Sequence, residues 1–319
     1  MTPSTASSVR EPRVKAKQRP GDRIFAGSTL TAGTLILAML AAVAAFLVIQ
    51  SIPAVTTDPG EIPILAGETF WSYVAPLVFG TLWSAALALL MAIPVSIGIA
   101  LFISHYAPRR LAQGLGYVID LLAAVPSVVF GLWGANVLAP AVQPFYSWLT
   151  ETMGWFPLFA PPASGTGRTI LTASIVLAVM VLPIITALSR EVFLQTPVLH
   201  EEAALALGAT KWEMIRTAVL PFGRPGIVSA SMLGLGRALG ETMAVAMVLS
   251  ASGGINFALL TSSNPGTIAA NIALSFPEAF GTNVNVLIAT GLLLFAITLV
   301  VNSIARWIIA RRKEFSGAN

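Results

Sequence analysis

The chain of 319 residues contains no cysteine and only two histidines, His105 and His200, in different segments. Without thiols there is neither a disulfide framework nor a thiolate metal centre, and two separated imidazoles do not make a metal cluster. Charge is also sparse: 10% of the residues are Asp, Glu, Lys or Arg against 56% that are hydrophobic, which excludes an ordinary soluble domain. No lysine follows a glycine, since Lys15, Lys17, Lys211 and Lys313 follow Val, Ala, Thr and Arg. The Gly-Lys step of a phosphate-binding P-loop is therefore missing, and any ATP-derived energy must come from another subunit. No nucleophile, base and orienting group stand at suggestive spacing either, so the chain reads as no enzyme and as needing no cofactor or metal of its own.

What the chain has is apolar length. A mean hydropathy of +0.82 goes with six segments of roughly 20 residues or more, at about 29–51, 74–104, 116–139, 169–189, 225–250 and 284–308. The fold class expected is an all-α integral membrane protein with six transmembrane helices. Arg10, Arg13, Lys15, Lys17, Arg19 and Arg23 precede the first span, which is uncharged from Ile24 to Thr57. The following loop carries Asp58, Glu61 and Glu68 without Lys or Arg, whereas the next holds Arg109 and Arg110, and Arg306, Arg311, Arg312 and Lys313 close the chain. This alternation puts both termini in the cytoplasm. It divides the chain into a basic tail at 1–27, a first transmembrane helix at 28–52, an external loop at 53–73, a core at 74–309 with five further helices and a tail at 310–319. Residues 1–22 read as disordered.

The pI near 9.8 does not signal nucleic acid, because the positive residues flank the spans instead of forming a basic face. Pro76, Pro94, Pro126 and Pro183 are expected to bend or break their helices. Residues 140–168 and 251–283 read as outer loops that either receive a partner or tuck back as re-entrant plugs.

Two constellations carry function. In the first, residues 196–221, Thr196 caps a short helix, Gly208 ends it in a left-handed conformation, and Thr210 with Glu213 forms a capping box for a second helix. That helix carries Trp212, Ile215 and Val219 at helical spacing and is expected to stop at Pro221. In the second, Gly234 to Thr242, Arg237 and Glu241 stand one helical turn apart on one face, and counting from Ile227 places Arg237 about 15 Å deep. A charge there costs about 3 kcal/mol on insertion scales, so it needs a function. Guanidinium suits an oxyanion, Glu241 would hold its fork or repel the wrong anion, and Asp120 is a candidate partner across the helix interface. Gly236 and Gly240 form a small-residue surface for close helix packing.

The run Glu202-Ala203-Ala204, three residues, Gly208, nine residues, then Ala218-Val219-Leu220-Pro221 resembles the EAA loop of ABC transporter permeases, with Ala218 where that family usually has Ile. Together with Gly21-Asp22-Arg23-Ile24-Phe25, Val125-Pro126-Ser127-Val128-Val129-Phe130-Gly131-Leu132-Trp133-Gly134 and Arg237 to Thr242, it resembles the PstC family of phosphate permease subunits over about residues 21–312. The resemblance implies a type I ABC importer permease for inorganic phosphate. Implied partners are the sister permease PstA, two copies of the ATPase PstB, which uses ATP and Mg, and the phosphate-binding protein PstS. Glu202, Ala203, Ala204, Gly208, Leu220 and Pro221 would couple to the ATPase, and Arg237 and Glu241 would line the phosphate path. The sister subunit PstA, a permease for another oxyanion and an ion-coupled secondary transporter are the alternatives.

Overall fold

The computed structural model describes residues 20–313, with side chains through Trp307. The predicted tail residues Arg10, Arg13, Lys15, Lys17 and Arg19 lie outside that range, as do the side chains of Arg311, Arg312 and Lys313. Among the described residues the chain is helical, apart from one isolated β-bridge between Ala251 and Asn264. Six helices are long and apolar enough to cross a membrane: Pro20–Thr56, Phe70–Tyr106, Ser127–Met153, Ile170–Leu194, Lys211–Leu239 and Thr282–Trp307.

The chain divides into two units at Ile49. The first consists, where described, of the leading part of α1 (Pro20–Thr56). Its hydroxyls are turned back on its own backbone: Thr29, Thr31 and Thr34 each donate to the carbonyl four residues earlier, at 2.8–3.0 Å. That satisfies polar groups on a segment with no polar solvent to meet them.

The second unit is built around two helices, α2 (Phe70–Leu101) and α6 (Ile170–Leu194). Both are N-capped by threonine: Thr69 Oγ1 accepts from Ser72 N, and Thr169 Oγ1 from Thr172 N. The buried face of α2 is small, with Ala85, Ala88, Ala92, Ser84 and Ser96 all at or below 1% exposure, so α6 approaches closely. Ser96 Oγ donates across this contact to Leu182 O at 3.2 Å. Ile170, Val176, Leu177, Met180, Val181 and Ile185 fill the facing stripe of α6 and make it the hub of the main core.

Between them come α3 (Arg109–Ala123), α4 (Ser127–Trp133), a π turn at Gly134–Leu138 and α5 (Ala139–Met153). The third span therefore differs from the 116–139 expected. Pro126 breaks the chain at the N-cap of α4, because the residue before a proline avoids helical backbone, and α3 becomes a separate amphipathic helix. Asp120 lies exposed on α3, not at the start of a span. Much of the expected outer loop 140–168 is helix. Pro76 and Pro94 sit inside α2 and Pro183 inside α6 without interrupting them.

After α6 follow α7 (Val198–Ala206), α8 (Lys211–Met214), a π turn at Ile215–Val219, α9 (Leu220–Leu239), α10 (Met243–Val248), α11 (Ile268–Ser275) and α12 (Thr282–Lys313). The segment between α10 and α11 tucks inward. Leu259 N donates to Leu158 O at 2.8 Å, Ser164 N to Leu260 O at 2.7 Å, and Ile268 N to Thr81 Oγ1 at 3.0 Å. Gly80 has to be glycine for this insertion, since a Cβ would overlap the Gly266 carbonyl. Asn264, fully buried, ties the arrangement together: Oδ1 accepts from Ile170 N, and Nδ2 donates to Ser250 O and Arg168 O.

Candidate functional site

The helix-turn-helix expected at 196–221 forms, with two changes. Gly208 has φ +85°, Gly208 N donates to Leu205 O, and Ala209 N donates to Ala204 O, the paired bonds of a left-handed helix end. Open space surrounds the missing Cβ of Gly208, so it is the backbone conformation that calls for glycine. The capping box is complete: Thr210 Oγ1 accepts from Glu213 N, and Glu213 Oε2 accepts from Thr210 N at 2.7 Å.

The first change is at the start, where Pro197 occupies the N-cap of α7 and Thr196 is buried with no partner for its hydroxyl among the described residues. The second is at Pro221, which does not stop the helix. The π turn at Ile215–Val219, closed by Leu220 N to Ile215 O, widens the spiral just where a proline ring would otherwise strike the preceding turn. Pro221 then falls in the first turn of α9, where its missing N–H is harmless. Ile215 and Val219 are fully buried with Met214, Phe193, Ala100 and Leu101, whereas Trp212 faces outward.

Most of the residues expected to couple to an ATPase lie on one surface. Ala203, Ala204 and Pro221 line a groove of about 500 Å³ together with Leu207, Ala218 and Phe222, and Glu202 and Gly208 are exposed beside them. Leu220 packs inward against the buried cluster. The unit is tied to the π turn Phe102–Tyr106 that follows α2: His105 Nε2 lies 3.4 Å from Glu201 Oε1, and Lys211 Nζ sits 4.9 Å above the Tyr106 ring. Sequence reading gives His105 no role, and no local pattern connects it to Glu201.

Arg237 and Glu241 do not share a helix face. α9 ends at Leu239, Gly240 has φ −91° and ψ 1°, and Glu241 lies in the break before α10. Glu241 is buried, and its Oε1 accepts the backbone N–H of Ala244 at 3.0 Å, so it caps α10. Glu241 forms no ion pair with Arg237, so of its two expected roles it does not hold the guanidinium fork, because an acceptor three residues before a free amide is better placed as a cap than as a partner for a side chain on the previous helix.

Arg237 sits in the last turn of α9, where a cation complements the helix dipole. Its Nε is buried and has no hydrogen-bond partner among the described residues. It lines a cavity of about 680 Å³ with Gly236, Ser229, Asn302 and Arg306. Among the described residues no other element comes within 4 Å of a Cβ at Gly236, and Gly240 would meet only the Gly236 carbonyl; the close approaches on α9 are made earlier in the helix, by Gly223, Gly226 and Gly234 against Phe193, Val192 and Ile185. From sequence Arg306 reads only as a flanking charge. Its position inside the last span, ahead of the terminal basic cluster, is the available signal.

The glycines of the Phe130-Gly131-Leu132-Trp133-Gly134 run have a packing role next to this break. A Cβ on Gly131 would lie 2.9 Å from Ala244 Cα, and one on Gly134 would lie 2.6 Å from Val176 Cγ2. α4 thus rests on α10, the helix that Glu241 caps. Among the described residues no group of three or more His, Asp or Glu side chains forms a metal-binding cluster.

Residues 92–314 match the family of binding-protein-dependent transport system inner membrane components. The chain is 43% identical over 306 residues to the phosphate transport system permease protein PstC 2 of Mycobacterium tuberculosis, covering 90% of this chain and 91% of that one. It is 48% identical over 245 residues to PstC of Mycobacterium leprae, covering 75% of this chain and 76% of that one, and 38% identical over 309 residues to PstC of Mesorhizobium japonicum, covering 93% and 92%. Among solved structures, the inward-facing MetNI methionine ABC transporter shares the fold with a TM-score of 0.51 at 19% identity, over 75% of this chain and 93% of that one. With six membrane-spanning helices and this family match over most of its length, the chain is a multi-pass inner-membrane protein and belongs to the binding-protein-dependent transport system inner membrane components.

Proposed function

We propose that this chain is a permease subunit of an ATP-driven importer for inorganic phosphate and forms half of the translocation pathway. The observation that carries the reading is 43% identity to a phosphate transport permease over about nine-tenths of both chains. A second support is an arginine without a carboxylate partner among the described residues, opening into a cavity beside a break between two helices. Guanidinium stays protonated and offers a planar fork that fits phosphate oxygens.

The partners in this reading are the sister permease PstA, two copies of the ATPase PstB and the binding protein PstS. The subunit itself binds no cofactor; ATP and Mg are used by the ATPase. The exposed surface at Glu202, Ala203, Ala204, Gly208 and Pro221 docks that ATPase, with the termini on the same cytoplasmic side. A loaded binding protein docks outside, ATP binding closes the ATPases, and the pull on α7 passes through the His105–Glu201 contact to α2 and through the continuous run of α8 and α9 to Arg237. Hydrolysis resets the inward-facing state.

The test is ATP-dependent uptake of labelled phosphate, with sulfate as competitor, into vesicles holding the complete complex. The expected result is uptake that needs ATP, resists sulfate and is abolished by Arg237→Gln. An assembled, ATP-hydrolysing complex that moves no phosphate would overturn the substrate assignment.

A further inference from the structure

The cavity at Arg237 holds a second fixed cation. On α9, Ser229, Leu233 and Arg237 recur every four residues and so share one face; on α12, Asn302 and Arg306 do the same, and both faces line the same space of about 680 Å³. No aspartate or glutamate lines it, and among the described residues no carboxylate lies within ion-pair distance of Arg237 or Arg306. Ser229 Oγ donates to Pro225 O at 2.9 Å, so its hydrogen is directed into the helix. The donors that remain for an occupant are the two guanidinium groups and the Asn302 amide. Gly236 leaves the space beside Arg237 open, with nothing within 4 Å of a would-be Cβ.

Two permanently protonated guanidinium groups facing one cavity without a counter-charge repel each other, and a polyanion between them turns that repulsion into attraction toward both. Planar forks reaching in from two helices suit a tetrahedral oxyanion better than a planar carboxylate, because they grip different oxygen pairs. We infer that Arg306, supported by Asn302, completes with Arg237 a two-arginine site for phosphate in the transport path. This rests on the reading of the chain as a phosphate permease. The same chemistry would hold a phospholipid headgroup, and the experiment separates the two sources.

The complete complex is reconstituted with wild-type chain, Arg306→Gln, Arg306→Lys or Arg237→Gln, in vesicles of phosphatidylcholine alone and of phosphatidylcholine with phosphatidylglycerol. Assembly is scored by co-purification, and KM and kcat are measured for uptake of labelled inorganic phosphate. Arg306→Gln is expected to lower uptake at least tenfold in both lipids, mainly through kcat, because the loaded binding protein sets apparent affinity, and Arg306→Lys is expected to recover part of the loss. Wild-type rates for Arg306→Gln in both lipids would overturn the inference while leaving the permease reading intact. A defect seen only with phosphatidylglycerol would make Arg306 a lipid ligand and would also overturn it. Absence of phosphate uptake by the wild-type complex would instead refute the permease reading on which it rests.

Discussion

Glu241 Oε1 accepts the backbone N–H of Ala244 at 3.0 Å, so a buried carboxylate two residues beyond the end of one helix begins the next. The pair holds open the break that leaves Arg237 at a helix terminus, facing a cavity. Glu241→Gln keeps an oxygen for the Ala244 amide, whereas Glu241→Ala leaves that amide without an acceptor. Glu241→Ala is expected to destabilise the complex by about 1 kcal/mol more than Glu241→Gln. Equal melting temperatures for the two variants would contradict the capping role.

Gly131 and Gly98 make a matched test of packing. A Cβ at Gly131 would crowd Ala244 Cα at 2.9 Å and Met247 Sδ at 3.0 Å, and a Cβ at Gly98 would meet nothing within 4 Å. Gly131→Ala is expected to cost about 1–3 kcal/mol and to reduce uptake, because α4 must move off α10. Gly98→Ala is expected to be neutral or to stabilise α2 by up to about 1 kcal/mol. Thermal unfolding of the two variants, with uptake measured alongside, checks both.

At Gly208 the constraint is conformational, with φ +85° and open space around the missing side chain. Gly208→Ala is expected to destabilise the turn by about 1 kcal/mol, whereas Glu202→Ala, on an exposed position, leaves folding unchanged. Both are expected to weaken co-purification of the ATPase while the permease still inserts. Full co-purification with undiminished uptake would remove this surface from the coupling role.

Asn264 bonds three backbone groups, the buried amide of Ile170 and the carbonyls of Arg168 and Ser250. Asn264→Ala is expected to cost about 1–3 kcal/mol, since it leaves the buried Ile170 amide without an acceptor. Limited proteolysis between α10 and α11 should then become faster. Unchanged cleavage and melting would show that the inserted segment is held elsewhere.

Short-range signals were legible in the sequence. Apolar length gave the membrane class and the number of spans, since about 20 apolar residues are needed to cross the hydrocarbon core, but it misplaced the third, found at Ser127–Met153, and the fifth, found at Lys211–Leu239 instead of 225–250. Thr210 with Glu213, and Gly208 in its left-handed turn, were readable because capping and backbone conformation depend on residues three or four apart. The same local rules misjudged Pro221, because a π turn just before it reset the register of the helix. They also misjudged Arg237 and Glu241, because the helix that would have aligned them ends between them. The inserted segment at Asn264, the tie from His105 to Glu201 and the shared lining of one cavity by Arg237 and Arg306 involve residues far apart along the chain. Only the tertiary packing brings these residues together, because side chains on different elements meet only when those elements pack.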